Sequence, residues 1–261
     1  MFNFKPDYNE IKSKIKDNGF YILDNFIDKE IIDELKNYWR TRLYKLKTNK
    51  KHVGGNLYLG EKNFTSFSNT KNLTLYRHFD FLWNNEESKT SRKLNIEVHK
   101  IRNMLQEFDE NTGLEYAGDC FGFYISTSYY PSNFGKMNAH IDEHKDRDIL
   151  QYMIPLTFKG EDYDNGGLYV MDKKKEWIDI DILCKPGSLI FFNGRHKHKV
   201  ELIQSNNSKK IGRIAVFSIP TYFLKDVSMP VFKRSLKIFN REIFDIPIYL
   251  LKKIYKKALT K

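Results

Sequence analysis

The chain has 261 residues, of which 41% are hydrophobic and 15% aromatic, so it can form one domain with a sizeable buried core. Only two cysteines occur, Cys120 and Cys184, which excludes a disulfide framework and fits a reducing cytoplasm. Residues 1–10 lack the apolar core of a signal peptide, and no apolar run approaches the ~20 residues of a spanning helix. We expect a cytoplasmic protein, soluble or peripheral to the inner face of a membrane.

Two amphipathic helices are predicted in the N-terminal half. Asp28 is placed to cap the first of them. Apolar residues recur at helical spacing in both segments: Ile31, Ile32, Leu35, Tyr38 and Trp39 in the first, and Leu94, Val98, Ile101, Leu105 and Phe108 in the second. Both helices are expected to pack against one face of a sheet.

The segment 47–85 is polar and rich in Asn, Ser and Thr, with a Gly54-Gly55 pair. Long loops of this kind often cover a functional site. We therefore predict a lid loop over 47–85, with a tolerated surface insertion as the alternative.

The C-terminal half predicts buried strands separated by turns. Ile149 to Phe158, Leu168 to Met171 and Ile211 to Pro220 are mostly apolar, and Asp162 to Gly167 has turn chemistry. Residues 185–201 predict a turn, a buried strand, a second turn and another strand. Residues 1–225 are interpreted as a single domain.

His140 and Asp142 are the first candidate metal ligands. In extended backbone, side chains at positions i and i+2 leave the same face of a strand, so these two can converge on one ion. A third donor from the strand near His198 would give two imidazoles and one carboxylate. That set leaves three neighbouring positions of an octahedral ion open, as in sites that use ferrous iron for oxygen chemistry. A His-x-Asp triplet alone arises often by chance.

Two other histidines compete for these positions. His196 lies two residues from His198 and would share its face on a strand. His144 follows His140 by four residues, a helical spacing in a segment that otherwise favours strand and loop.

Arg213 is the candidate for binding an acidic co-substrate. It stands near the start of an otherwise apolar strand, and a buried permanent cation needs an acidic partner. A co-substrate with two carboxylates could be that partner. Lys209 and Lys210 are the alternatives, in a polar stretch typical of a solvated loop.

The combined motifs resemble the iron(II)- and 2-oxoglutarate-dependent dioxygenases, most closely the phytanoyl-CoA dioxygenase-like branch. The resemblance covers roughly residues 119–222, with a weaker match at 18–26 to the family's opening strand. It consists of the His-x-Asp at 140–142, Gly166-Gly167-Leu168, the run PGSLIFFNGR at 186–195 followed by His198-Lys199-Val200, and Gly212-Arg213.

The resemblance implies a mainly β protein with flanking helices around a double-stranded β-helix, the cupin-like jelly roll. It makes His140, Asp142 and His198 the iron ligands, and Arg213 the partner of the distal carboxylate of 2-oxoglutarate. Further co-substrate contacts are assigned to four residues, for which ordinary core packing is the alternative: Tyr129, Tyr130, Tyr152 and Asn138. The implied activity is hydroxylation of an unactivated C–H bond with release of succinate and CO2.

Most of the net charge of +11 lies near the C-terminus. From 231 to 261, nine Lys or Arg and two acids give nine minus two, or +7. We predict that 226–261 is a basic amphipathic helical extension. Its segment 247–261 would contact an anionic membrane surface, pack on the domain or pack on a partner subunit, as in a homodimer.

The substrate is expected to be a small molecule, a glycan or a lipid-linked compound. Nucleic acid is not expected, because the second arginine that base-repair oxygenases of this family place six residues after the first is replaced by Ile219. Two other classes stay open: a metal-binding jelly roll without oxygenase activity, such as an isomerase or sensor, and a non-catalytic basic adaptor.

Overall fold

The computed structural model describes residues 1–44, 64–81, 88–114, 123–142 and 150–220. Within them the helices are α1 (Tyr8–Asn18), α2 (Lys29–Tyr44), α3 (Lys89–Leu105) and the single turn α4 (Ile180–Leu183). The strands are β1 (Phe20–Leu23), β2 (Phe64–Asn69), β3 (Leu73–Phe81), β4 (Phe123–Pro131), β5 (Lys136–His140), β6 (Leu150–Pro155), β7 (Asn165–Met171), β8 (Trp177–Asp179), β9 (Leu189–Asn193), β10 (His198–Gln204) and β11 (Gly212–Pro220).

The strands form one antiparallel sheet that curls on itself. Their order is β1-β9-β6-β11-β4-β3-β5-β10-β7-β8, with β2 on β3. Strand β3 connects two halves of this sheet, because it pairs with β4 through six residues but with β5 only through Leu73 and Thr74. The two halves face each other across an interior, which is the predicted jelly-roll architecture.

Alternation along the strands separates an outer face from an inner face. On β4, β6 and β11, the side chains of Tyr129, Tyr152 and Ile214 belong to an apolar cluster with α2 and α3. Their neighbours Tyr130, Met153 and Ala215 belong to a second cluster between the two halves of the sheet. Both faces of these strands are therefore buried, one under helices and the other inside the roll.

The two predicted helices are confirmed, and a third precedes them. Helix α1 begins after Asp7, whose Oδ1 accepts hydrogen bonds from the backbone N–H groups of Asn9 (2.9 Å) and Glu10 (3.1 Å). It ends at Gly19, which adopts φ +85°. Only one of its side chains, Ile11, is fully buried. This sparse apolar pattern explains why periodicity did not predict the helix.

The predicted lid loop over 47–85 is wrong for residues 64–81, which form the hairpin of β2 and β3. Its turn is held by Thr70, whose hydroxyl oxygen accepts from the N–H groups of Asn72 and Leu73. Leu75 and Phe79 are buried on β3 although the segment is polar overall. The rest of the predicted lid, 45–63 and 82–85, lies outside the described residues.

The predicted C-terminal extension, 226–261, also lies outside the described residues. In the part of the chain that is described, none of the helices has the length and apolar character needed to cross a membrane.

Candidate metal centre and adjoining cavity

Three donor side chains meet where β5 ends and β10 begins. His140 and His198 are directly paired across these strands, with their ring centroids 4.2 Å apart. Asp142 follows β5 by two residues, and its carboxylate oxygens lie 3.7 Å from Nε2 of His140 and 3.7 Å from Nε2 of His198. Ligand atoms of the three residues all lie within 4.8 Å of one another. The structure thus brings together the three predicted metal ligands.

The backbone fixes which nitrogen of each imidazole is available. Nδ1 of His140 lies 2.9 Å from the carbonyl oxygen of Asn138, and Nδ1 of His198 lies 2.9 Å from that of His196. A carbonyl oxygen only accepts, so each Nδ1 carries the proton and donates it. In its neutral form each ring therefore presents the lone pair of Nε2 to the space beside Asp142, as metal-bound imidazoles do.

Two contacts hold the Asp142 carboxylate toward the histidines. Its backbone N–H donates to the carbonyl of Gly194 (2.8 Å), and its Oδ2 accepts from Nε2 of Gln151 (2.7 Å). Gly194 permits this close approach, because a Cβ there would lie 2.8 Å from Nε2 of Gln151 and 3.0 Å from Cβ of Asp142. The sequence analysis missed Gln151, although it lies next to Tyr152 on β6.

Burial favours the neutral form of His198. Desolvation lowers the pKa of this imidazole, and the opposing attraction of Asp142 does not restore it. The side chain of His198 is only 6% exposed. The unprotonated form, which ligates metals, is thus favoured at neutral pH.

The structure separates His198 from its competitor His196. The His196 ring packs against Gly19, and its Nδ1 lies 3.1 Å from the carbonyl oxygen of Met171. It does not belong to the donor group formed by the described residues. His144 lies outside the described residues.

A cavity of about 230 Å³ adjoins the three donors, between the two halves of the sheet. Its described lining is the inner face of the roll. Apolar side chains make up much of the wall, and the charged residues there are Arg77, Asp142 and Arg213. Apolar walls with a few charged groups are typical of sites for small-molecule ligands.

Arg213 lies in this cavity but already has an acidic partner. Its Nε donates to Oδ2 of Asp181 (2.6 Å) and its Nη2 to Oδ1 (3.0 Å). Burial by itself would lower the pKa of Arg213, but the ion pair outweighs it and the pKa lies above its ordinary value. The prediction that Arg213 has an acidic partner is confirmed. The partner is a side chain of the protein, Asp181, and not the expected co-substrate. With the described residues, Nη1 of Arg213 forms no hydrogen bond.

Asp181 is held by a polar cluster that the sequence did not reveal. Its Oδ2 also accepts from the hydroxyl of Tyr163 (2.7 Å) and from the backbone N–H of Leu168 (2.9 Å). The alternatives to Arg213 lie elsewhere: Lys210 pairs with Asp164 at 2.5 Å, and Lys209 is exposed.

Tyr129, Tyr152 and Asn138 do not line the cavity, so these three assignments are wrong. The Tyr129 hydroxyl donates to the carbonyl of Ile211 (2.9 Å) and the Tyr152 hydroxyl to Oδ1 of Asn95 (3.0 Å), both on the outer face. Asn138 is exposed, and its Nδ2 donates to Oδ1 of Asn72. Its part at the site is its carbonyl, which binds His140. Of the three predicted tyrosines, Tyr130 alone faces the cavity, because side chains alternate along β4 and Tyr129 packs under the helices.

Arg77 is a cavity residue that the sequence analysis missed. It lies on β3, opposite Ser128 of β4, within the segment predicted as a loop. If the segment had been predicted as a strand, Arg77 would have been recognised as a cation on the same face as the buried residues Leu75 and Phe79.

Comparisons with known proteins identify the fold. No family model matches the sequence, and no curated relative matches it. A prolyl-4-hydroxylase from Pseudomonas putida is similar in structure, with a TM-score of 0.57 at 14% identity over 82% of this chain and 98% of the other. A prolyl hydroxylase from Trichoplax adhaerens, described in complex with a hypoxia inducible factor peptide, gives a TM-score of 0.54 at 15% identity, covering 88% and 91%.

A third similar structure is the non-heme alpha-ketoglutarate-dependent carbocyclase SnoK from nogalamycin biosynthesis. It gives a TM-score of 0.54 at 11% identity over 89% of this chain and 91% of the other. These three proteins thus share one architecture with this chain along most of its length. The described part of the chain has the jelly-roll fold of these oxygenases.

Proposed function

We propose that this protein is an iron(II)- and 2-oxoglutarate-dependent oxygenase that hydroxylates an unactivated C–H bond. The observation that supports it most is the convergence of His140, Asp142 and His198, with both Nε2 atoms available beside the carboxylate. Two imidazoles and one carboxylate leave the open positions that a chelating 2-oxo acid and dioxygen require.

The residues present fit both groups. The three donors would hold the iron, with Gln151 orienting Asp142. Arg213 and Tyr130 would meet the distal carboxylate of 2-oxoglutarate, Arg213 through its remaining Nη1. Bound iron and 2-oxoglutarate supply the oxidation, in which one oxygen atom of dioxygen enters succinate, formed with CO2, and the other enters the substrate. The apolar wall, including Leu168, Phe192 and Val200, excludes water from the reacting carbon.

The substrate class is an expectation from sequence: a small molecule, a glycan or a lipid-linked compound. The similar structures include two hydroxylases and one carbocyclase, so one fold accommodates different oxidative outcomes. The phytanoyl-CoA dioxygenase-like branch, the cytoplasmic location, the membrane contact of 247–261 and the homodimer all stay predictions.

An anaerobic titration tests the proposal. Iron(II) and then 2-oxoglutarate are added to the full-length protein, and a weak visible charge-transfer band is expected. The band should vanish in His140→Ala. His196→Ala is the matched control, since this histidine lies in the same segment but outside the donor group, and it should keep the band. A well-folded wild-type protein without any band would contradict the proposal.

A second candidate, a metal-binding jelly roll that does not use 2-oxoglutarate, is favoured by one observation. The arginine expected to bind the co-substrate is already paired with Asp181. Such a protein would bind iron(II) through the same three donors, but 2-oxoglutarate would add no band and no affinity. A basic adaptor whose histidines only pack would bind neither.

A further inference from the structure

The cavity beside the metal centre contains two guanidinium groups, but only one is neutralised by the protein. Arg213 shares two hydrogen bonds with Asp181, and both side chains are 4% exposed. This pair contributes no net charge to the cavity. Among the described residues, Arg77 forms no ion pair, so the uncompensated cation of the lining is Arg77 and not the arginine that the sequence motif indicates.

Arg77 also has hydrogen-bonding capacity that the protein leaves unused. Its Nε is buried and has no hydrogen-bond partner among the described residues. Its Nη2 lies 3.8 Å from Sδ of Met137, and the hydroxyl of Tyr130 lies 3.8 Å from the same sulfur. A thioether is a weak acceptor. The Tyr130 hydroxyl oxygen also accepts from the Arg77 guanidinium, so the two groups lie side by side in the cavity. Among the described residues, the hydroxyl hydrogen of Tyr130 has only the weak sulfur acceptor and Nε of Arg77 has none.

Charge balance indicates what that acceptor is, if the proposed function holds. Ferrous iron brings two positive charges, Asp142 one negative charge and 2-oxoglutarate two more. The sum is one negative charge, and the Arg213–Asp181 pair adds nothing to it. Arg77 brings the total to zero. An unbalanced charge is costly where a side chain is withdrawn from water, and Arg77 is half-buried. The co-substrate itself therefore suffices to explain an arginine without an ion-pair partner among the described residues.

We propose that Arg77, together with the Tyr130 hydroxyl, is the charged anchor of the distal carboxylate of 2-oxoglutarate. Arg213 then acts as a donor whose charge Asp181 cancels. This inference rests on the proposed function and assigns to β3 a role in specificity for a diacid. The alternative is that Arg77 binds an anionic group of the substrate to be oxidised, and the test below distinguishes the two.

The test compares two 2-oxo acids that differ only at the distal end. Anaerobic iron(II)-loaded protein is titrated with 2-oxoglutarate and with 2-oxopentanoate, which has the same chain length but ends in a methyl group. Affinity is read from the charge-transfer band and from calorimetry with manganese(II) in place of iron. The variants are Arg77→Gln, Arg77→Lys and, as the matched control, Lys71→Gln, which removes an exposed cation of the same hairpin. Thermal unfolding of each variant establishes that it is folded.

Arg77→Gln should weaken 2-oxoglutarate binding about 10- to 100-fold, the range for a lost charge-assisted hydrogen bond. It should leave 2-oxopentanoate binding unchanged. Arg77→Lys should recover most of the loss, and Lys71→Gln should show none. The proposal fails if Arg77→Gln keeps full affinity for 2-oxoglutarate, which would point to the substrate as the anion, or if it weakens both acids equally. A wild-type protein that binds neither acid would instead overturn the proposed function itself.

Discussion

Removing the carboxylate of Asp181 should destabilise the protein far more than removing an exposed one. Asp181→Ala deletes both bonds to Arg213 (2.6 and 3.0 Å) and the acceptor for Tyr163 and Leu168 (2.7 and 2.9 Å). A buried guanidinium would be left without its counter-charge. Breaking a buried ion pair on one side costs about 3–5 kcal/mol. We expect the free energy of unfolding to fall by about that amount.

Urea denaturation of the metal-free protein measures this loss, with the m-value checked for constancy. Glu161→Gln is the control, because it removes a carboxylate that is 64% exposed and lies 3.3 Å from Lys36. That change should cost at most about 1 kcal/mol. If Asp181→Ala costs no more than Glu161→Gln, Arg213 finds another counter-charge and the charge balance of the cavity is refuted.

Three further predictions concern Gln151, Tyr152 and His99. Gln151→Ala should weaken manganese(II) binding about 10- to 100-fold by releasing Asp142, as measured by calorimetry; unchanged affinity would contradict its orienting role. Tyr152→Phe should lower the free energy of unfolding by about 0.5–1.5 kcal/mol and leave 2-oxoglutarate affinity as in wild type, whereas a loss of affinity would restore Tyr152 to the site. Burial and the nearby Arg102 lower the pKa of His99 well below its ordinary value despite its bond to Thr112, so the unfolded chain binds the proton first as pH falls. Below about pH 6.5 the free energy of unfolding should therefore fall by up to about 1.4 kcal/mol per pH unit. Denaturation curves recorded at several pH values should show a smaller fall for His99→Gln than for wild type.

The metal centre was predictable because its geometry is local or directly paired. His140 and Asp142 are two residues apart in extended chain, and His198 lies opposite His140 on the neighbouring strand. The motifs around Gly187 and Gly212 predicted the strands that correspond to β9, β10 and β11. The spacing alone left His196 and His198 as alternatives; the family resemblance favoured His198, and the structure places His198 in the donor group.

Which side chains of each strand face the cavity, and which face the helices, was not predictable from composition. On β6 every residue is buried, Tyr152 against the helices and Gln151 and Met153 toward the cavity. A strand buried on both faces lacks the polar and apolar alternation that reveals which side is inside. Tyr129 and Tyr152 were therefore assigned to the wrong face, and Gln151 was overlooked.

The charge environment of the cavity depends on contacts distant in sequence. Arg213 and Asp181 are 32 residues apart, and Asp181 lies in a single helical turn that no periodicity predicts. Arg77 was hidden because a polar composition suggested a loop where the structure has a hairpin.

The most direct test of the central claim is a crystal structure of the manganese(II) complex with 2-oxoglutarate. The account predicts an ion about 2.0–2.3 Å from Nε2 of His140, Nε2 of His198 and a carboxylate oxygen of Asp142. It also predicts the distal carboxylate within hydrogen-bonding distance of Arg77 and Tyr130. An ion bound elsewhere, or 2-oxoglutarate outside the cavity, would contradict it.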